Sequence, residues 1–209
     1  MKQFYNNIII VLFFFVNFQS YSQTQDAIIY FKDGDSIEGF ASLKNDKIKF
    51  KISADDKADT WDYENVSKIK FIGFDIVQTY EYVKLNSFDH PKLLELIVEG
   101  DVCLYKEEKT QIFTDPNITK KTAISTHGSN NISGYAYHTE QYRELFYVKR
   151  KKDQYPTYIN SGILSNWKKT ATSFFADCES LVKRIKDNKF GYNQINEIVE
   201  FYNNICLGE

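Results

Sequence analysis

The sequence predicts an α+β protein: a mostly antiparallel β body, built as a meander, a sandwich or a partly open barrel, followed by about three C-terminal helices. Three observations lead there. Lys47-Ile48-Lys49-Phe50-Lys51-Ile52 and Ser67–Ile72 alternate apolar residues with lysines, the period-two pattern of a sheet with one wet face. Leu93–Val98 and Val102–Glu107 flank Gly100-Asp101, a pair suited to a two-residue hairpin turn. After Pro156 the apolar period lengthens to nearly four, so strands come first and helices last.

The first 22 residues stand apart. Met1–Asn7 carries one charge, Lys2, ahead of the apolar run Ile8–Val16. That run has the length of a signal-peptide core and falls well short of the roughly 20 residues that cross a bilayer as a helix. Ser20-Tyr21-Ser22-Gln23 offers small residues at alternate positions, so cleavage is expected between Ser22 and Gln23. Residues 23–156 then form the β-rich domain, and residues 157–209 a helical segment expected to pack on it. Lipidation would require a cysteine at the cleavage point, and the first is Cys103. No later stretch is apolar and long enough to span a membrane, which makes the expected mature chain soluble. The 26 basic and 28 acidic side chains become 25 and 28 once Lys2 is removed, a balance of −3. Such a total makes no case for nucleic acid, which selects a concentrated basic face.

Within the β body, Ala27–Phe31 is a β-prone run, Asp33-Gly34-Asp35 a turn, and Ser36–Leu43 the next strand. Asn45-Asp46 turns the chain into Lys47–Ile52, and Ser53–Thr60 reads as a surface loop. Phe74–Leu85 is a longer aromatic and β-branched strand, ended by Asn86–Pro91. In the hairpin, Val98 is expected opposite Cys103, Ile97 opposite Leu104, Leu96 opposite Tyr105 and Glu95 opposite Lys106. Leu94, Leu96, Val98, Cys103 and Tyr105 would then share the core face, with the Glu95–Lys106 ion pair on the other. Lys109–Gly134 is polar and aperiodic, too long for an ordinary loop. Tyr135–Lys149 returns to strand character.

The helical segment follows from caps and stripes. Ser165 or Asn166 caps a helix from Trp167 to about Phe175, and Asp177 caps a second carrying Leu181, Val182 and Ile185. A third, from about Asn193, sets Ile195, Ile198, Val199, Tyr202 and Ile205 on one stripe.

Few residues are candidates for chemistry. Cys178 and Cys206 bracket the second and third helices and make a disulfide candidate in an oxidising compartment, while Cys103 reads as a small buried hydrophobe. His90, His127 and His138 show no zinc-ligand spacing, so no metal is expected. No GxSxG elbow or phosphate-cradling glycine loop occurs, and no catalytic residue or cofactor is assigned. Lys149-Arg150-Lys151-Lys152 reads as a solvated hairpin end. Phe74, Tyr80 and Tyr82 share one face of their strand and are the candidate ligand-contact aromatics, although burial is the commoner fate of such a strand.

The leader ending Ser20-Tyr21-Ser22-Gln23 resembles those of exported proteins of the Bacteroidota. The segments Phe175-Ala176-Asp177-Cys178-Glu179-Ser180-Leu181 and Ile198–Cys206 are similar to the C-terminal tails of uncharacterised exported proteins of that group. The resemblance implies periplasm or cell surface and carries no activity. The chain is therefore expected to be an exported, soluble envelope protein, with the periplasm its leading location and the cell surface or secretion as alternatives. Its expected role is a non-catalytic binding or interaction module for an envelope protein or small ligand. The alternatives are a carrier of a small apolar ligand in a β-lined cavity and, behind it, a hydrolase of envelope polymers.

Overall fold

The computed structural model describes residues 24–73, 76–114, 138–159 and 166–206. The expected leader, its cleavage point, Phe74 and most of the polar 109–134 stretch lie outside them. The class is α+β, as expected, with antiparallel strands followed by three C-terminal helices. The chain divides into two compact units, Met1–Val77 and Gln78–Glu209.

The first unit holds β1 (Gln25–Phe31), β2 (Ser36–Lys44), β3 (Lys47–Lys51), β4 (Asp59–Trp61) and β5 (Val66–Ile72), in the spatial order β5-β1-β2-β3-β4. The lysine alternation read in the sequence sorts its two faces. Ala27, Ile29, Ala41, Ile48, Phe50, Ile69 and Phe71 are buried together on one side, while Lys49, Lys51, Lys68 and Lys70 point the other way. Asn45 and Asp46 both take left-handed φ, 52° and 56°, as the tight turn between β2 and β3 requires. Gly39 meets a different demand. A Cβ there would lie 2.4 Å from the Lys51 carbonyl oxygen and 2.7 Å from the Phe50 ring, so β2 and β3 approach as closely as only glycine allows. β4 falls in the stretch read as a loop. Three residues are too few to show a period, and the strand forms because Trp61 pairs with Ile48 at the end of the core.

The second unit is a meander of β6 (Val77–Val83, its first residue closing the preceding unit), β7 (Lys92–Val98), β8 (Val102–Thr114), β9 (His138–Arg150) and β10 (Thr157–Ile159). β8 and β9 pair along their whole length, from Val102 opposite Arg150 to Thr114 opposite His138. The start of the aperiodic polar stretch is thus strand, and its middle lies outside the described residues. Glu95 faces Lys106 and Leu96 faces Tyr105, as the hairpin reading expects. Beyond Leu96 the register slips, and Val98 comes opposite Leu104 instead of Cys103. The slip is a β-bulge at Ile97, which is left 37 % exposed while Val98 turns to the other face. Leu94, Leu96, Cys103 and Tyr105 stay together in a cluster with Val83, Leu145 and Tyr147. Val98 joins Val102, Leu104, Val148 and Ile159 on the opposite face, and the helices cover that face.

The helices are α1 (Trp167–Phe174), α2 (Glu179–Lys186) and α3 (Ile195–Ile205), with a 3-10 turn, Tyr192–Gln194, leading into the last. Asn166 caps α1 by accepting from the Lys169 amide. Ile195, Ile198, Val199 and Tyr202 are buried as the stripe predicts, whereas Ile205 at its end is 46 % exposed. Asp177 does not cap α2: Cys178 holds the N-cap position and makes no side-chain cap bond. Asp177 instead accepts hydrogen bonds from Arg150 (2.8 Å) and from the Tyr202 hydroxyl (2.6 Å). Arg150 also donates to the Tyr202 oxygen and to the Phe174 carbonyl, and its guanidinium lies over both rings at 4.9 and 5.0 Å. The densest basic cluster is therefore not uniformly solvated; its second member ties the end of β9 to α1 and α3.

Asn203 makes the second attachment. Its amide accepts from the Val102 N–H (3.0 Å) and donates to the Val102 carbonyl (2.8 Å), filling both backbone groups as a neighbouring strand would. A Cβ on Gly100 would sit 2.3 Å from that amide nitrogen, so any larger residue in the hairpin turn would push the Asn203 amide aside. The Cys178–Cys206 disulfide, the pairing expected from their placement, joins the start of α2 to the end of α3.

Replacing Cys178 and Cys206 by serine is expected to lower the unfolding free energy by about 3–4 kcal/mol in the chain-entropy picture, measured by urea denaturation. Gly100→Ala is expected to cost about 1–3 kcal/mol, because the new methyl displaces Asn203 from both of its Val102 bonds.

Candidate functional site

The helices leave part of their sheet face open, and a cluster of charged groups gathers there beside Tyr80. Side chains alternate along a strand, so Glu95, Lys106 and Glu108, with Tyr80 opposite Glu95 and Glu144 opposite Glu108, share the face that carries Leu104. Lys106 is the hub. Its ammonium lies 2.8 Å from Glu95, 3.1 Å from Glu108 and 3.7 Å from Glu144. Glu95 is largely covered, while Glu108 and Glu144 are 66 % and 56 % exposed. Gln78 adds a 3.4 Å hydrogen bond to Glu95.

The environment sets the protonation states. Burial works against the Lys106 charge, but hydrogen bonds to Glu95 and Glu108 outweigh it and hold the ammonium well above its ordinary pKa. Burial, then repulsion by Glu95 and Glu108, raises the Tyr80 hydroxyl. A phenol kept neutral and an ammonium kept charged serve as hydrogen-bond donors, and neither is poised to take a proton near neutral pH. What this surface does chemically is present carboxylates in excess of one cation, beside an aromatic ring.

The opposite face carries a second network. The Tyr105 hydroxyl donates to Glu81 at 2.8 Å, and the Tyr147 hydroxyl donates to Glu107 at 2.9 Å. Lys92 reaches Glu107 at 2.8 Å. Burial opposes the charge on Glu107, yet the hydrogen bonds from Lys92 and Tyr147 prevail and hold its carboxyl below the usual range. Both phenols are driven up, first by burial and then by the neighbouring carboxylate. These bonds let aromatic side chains pack in the cluster with their hydroxyls satisfied.

Of the aromatics singled out by sequence, Tyr80 and Tyr82 lie half-buried on one face of β6, opposite Glu95 and Leu93, and Phe74 lies outside the described residues. The strand alternation located the tyrosines. The Lys106–Glu95 pair was legible from the hairpin, but Glu144 was not, because the polar stretch hides the register of β8 with β9. Two open clefts lie elsewhere. One, of about 870 Å³, runs between α1 and α2 beside Thr172, Ser173, Ser180, Lys169, Lys183 and Lys186. The other, of about 510 Å³, lies in the first unit by Phe31, Trp61, Asp33, Asp35 and Glu64. Neither is lined by Tyr80 or Tyr82. Among the described residues no group of three or more His, Cys, Asp or Glu side chains is placed to hold a metal ion. Nor is any helix among them long and apolar enough to cross a membrane. Compared with known proteins, the chain matches no family, no curated protein and no solved structure.

The Glu107 network makes acid stability a test. A carboxyl whose folded pKa is depressed contributes fully above its ordinary range and loses that contribution as pH falls through the folded value. Glu107→Gln is expected to be less stable than the parent at pH 7 and to lose less on acidification below about pH 4.5, its ordinary carboxyl value. Urea midpoints measured across the acid range check both.

Proposed function

We propose that this chain is an exported, non-catalytic binding module whose recognition surface is the open part of the β6–β9 face. One observation carries the reading: Lys106 is outnumbered by Glu95, Glu108 and Glu144, with Tyr80 beside them. An interface uses a desolvated aromatic beside complementary charge, and an excess of carboxylates suits a partner bearing a cationic patch. Glu108 and Glu144 are accessible enough to meet such a patch, while Glu95 and Lys106 hold the surface in shape. The signal-like leader supports export, and the Cys178–Cys206 bridge is compatible with an oxidising compartment such as the periplasm.

A photo-crosslinking phenylalanine analogue placed at Tyr80 tests this in the native envelope. A discrete adduct is expected from position 80, absent from the same analogue at Lys57 in the first unit, and lost when Glu108 and Glu144 are both changed to lysine. Equal labelling from positions 80 and 57, or no adduct from either, would contradict the reading.

A further inference from the structure

The near-neutral total charge conceals a segregated basic face on the first unit. The register places Lys68 and Lys70 of β5 on the same side as Tyr30 and Ile28 of β1, then Ser36, Glu38, Phe40, Ser42 and Lys44 of β2, then Lys51, Lys49 and Lys47 of β3. Six lysines thus share a face with two acids, Asp26 and Glu38. Two banks of lysine lie on β3 and β5, strands about 14 Å apart across three ladder spacings, and are offset along the strands so that the line joining them is diagonal. Between them lies a floor of half-buried Ile28, Tyr30, Phe40 and Ser42 that also carries the two exposed acids, Asp26 and Glu38. The Lys68 and Lys70 ammonium groups sit 5.2 and 5.7 Å from the Tyr30 ring centre.

We infer that this face binds a linear anionic polysaccharide, laid across the strands from one lysine bank to the other. Charge complementarity selects a polyanion, and the geometry selects among polyanions. A membrane plane would also meet the exposed carboxylates at the strand ends: Asp33 and Asp35 after β1, Asp46 after β2, Asp55 and Asp56 after β3. A chain crossing the middle of the face avoids these strand-end acids and passes only Asp26 and Glu38, which six lysines outnumber. Nucleic acid would call for open rings to stack bases and for arginine forks to grip phosphates. Here the Tyr30 ring is already taken by two lysines, Phe40 is half-buried, and every cation on the face is a lysine. Lysine point charges on a flat sheet suit spaced carboxylates or sulfates read without base contacts. The inference concerns a different unit from the proposed recognition surface and stands or falls separately.

Fluorescence anisotropy of labelled oligogalacturonate, titrated with the full chain, tests it. Binding is expected at about 50 mM salt and should weaken roughly 50-fold or more by about 200 mM, the loss that counterion release implies for four or more engaged lysines. Lys49→Glu with Lys70→Glu is expected to abolish binding, and the glutamine pair to weaken it at least several-fold with an unchanged circular-dichroism spectrum. Lys183→Glu with Lys186→Glu, on α2, should leave it unchanged. Absence of binding at low salt, indifference to the Lys49 and Lys70 changes, or tighter binding to single-stranded DNA or to phosphatidylglycerol vesicles would each overturn the inference.

Discussion

The second unit depends on the fact that β8 is apolar on both sides. Val102 and Leu104 point one way, Cys103 and Tyr105 the other, and the neighbouring strands follow the same division. An apolar sheet face needs a covering layer, and the face of Val102 and Leu104 receives one from the helices. α1–α3 meet the need by burying Phe175, Leu181, Ile185, Ile198 and Val199 against Val102, Leu104, Val148 and Ile159. Hydrophobic burial is non-directional, so it fixes that the helices dock without fixing where. The directional part comes from polar contacts: Asn203 completing the backbone of Val102, and Arg150 with Asp177 and Tyr202 at the end of β9. The disulfide then holds the two ends of the helical hairpin together.

What the sequence disclosed and what it hid follow from the same physics. Alternation is a local property, so β3, β5 and the pairs Glu95–Lys106 and Leu96–Tyr105 were legible from neighbouring residues. Helical stripes are local too, and Ile195, Ile198, Val199 and Tyr202 went where the period sent them. The bulge at Ile97 was hidden because Leu96, Ile97 and Val98 are all apolar, and such a run fits either register. β4 and β10, three residues each, are too short to show a period and take their conformation from the preceding strands β3 and β9. Arg150 and Asn203 were hidden for a further reason. Each looks like an ordinary surface residue until an element more than 20 positions away reaches it, α1 in the case of Arg150 and β8 in the case of Asn203. Of the candidate site, Tyr80, Tyr82 and the Lys106–Glu95 pair could be found from alternation, whereas Glu144 required the long register between β8 and β9.

Charge shows most plainly why totals mislead. A balance near zero made no case for nucleic acid, yet acids concentrate in the turns of the first unit while lysines line one face of its strands. In the second unit the order reverses locally, with three carboxylates around a single lysine. Strand periodicity produces both arrangements, because every second position faces solvent and is free to carry one sign of charge. The charge of this chain is accordingly a property of its faces and is not captured by its total.

The central claim is that the helices and the β7–β9 strands form one cooperative body, locked by Arg150 and Asn203. Native-state hydrogen exchange measured at increasing urea tests it most directly, by following Leu104 and Val148 in the sheet beside Ile198 and Val199 in α3. The account predicts that the four amides converge on a single opening free energy. Exchange of the α3 amides through a separate, lower-energy opening, with β8 and β9 still protected, would contradict it.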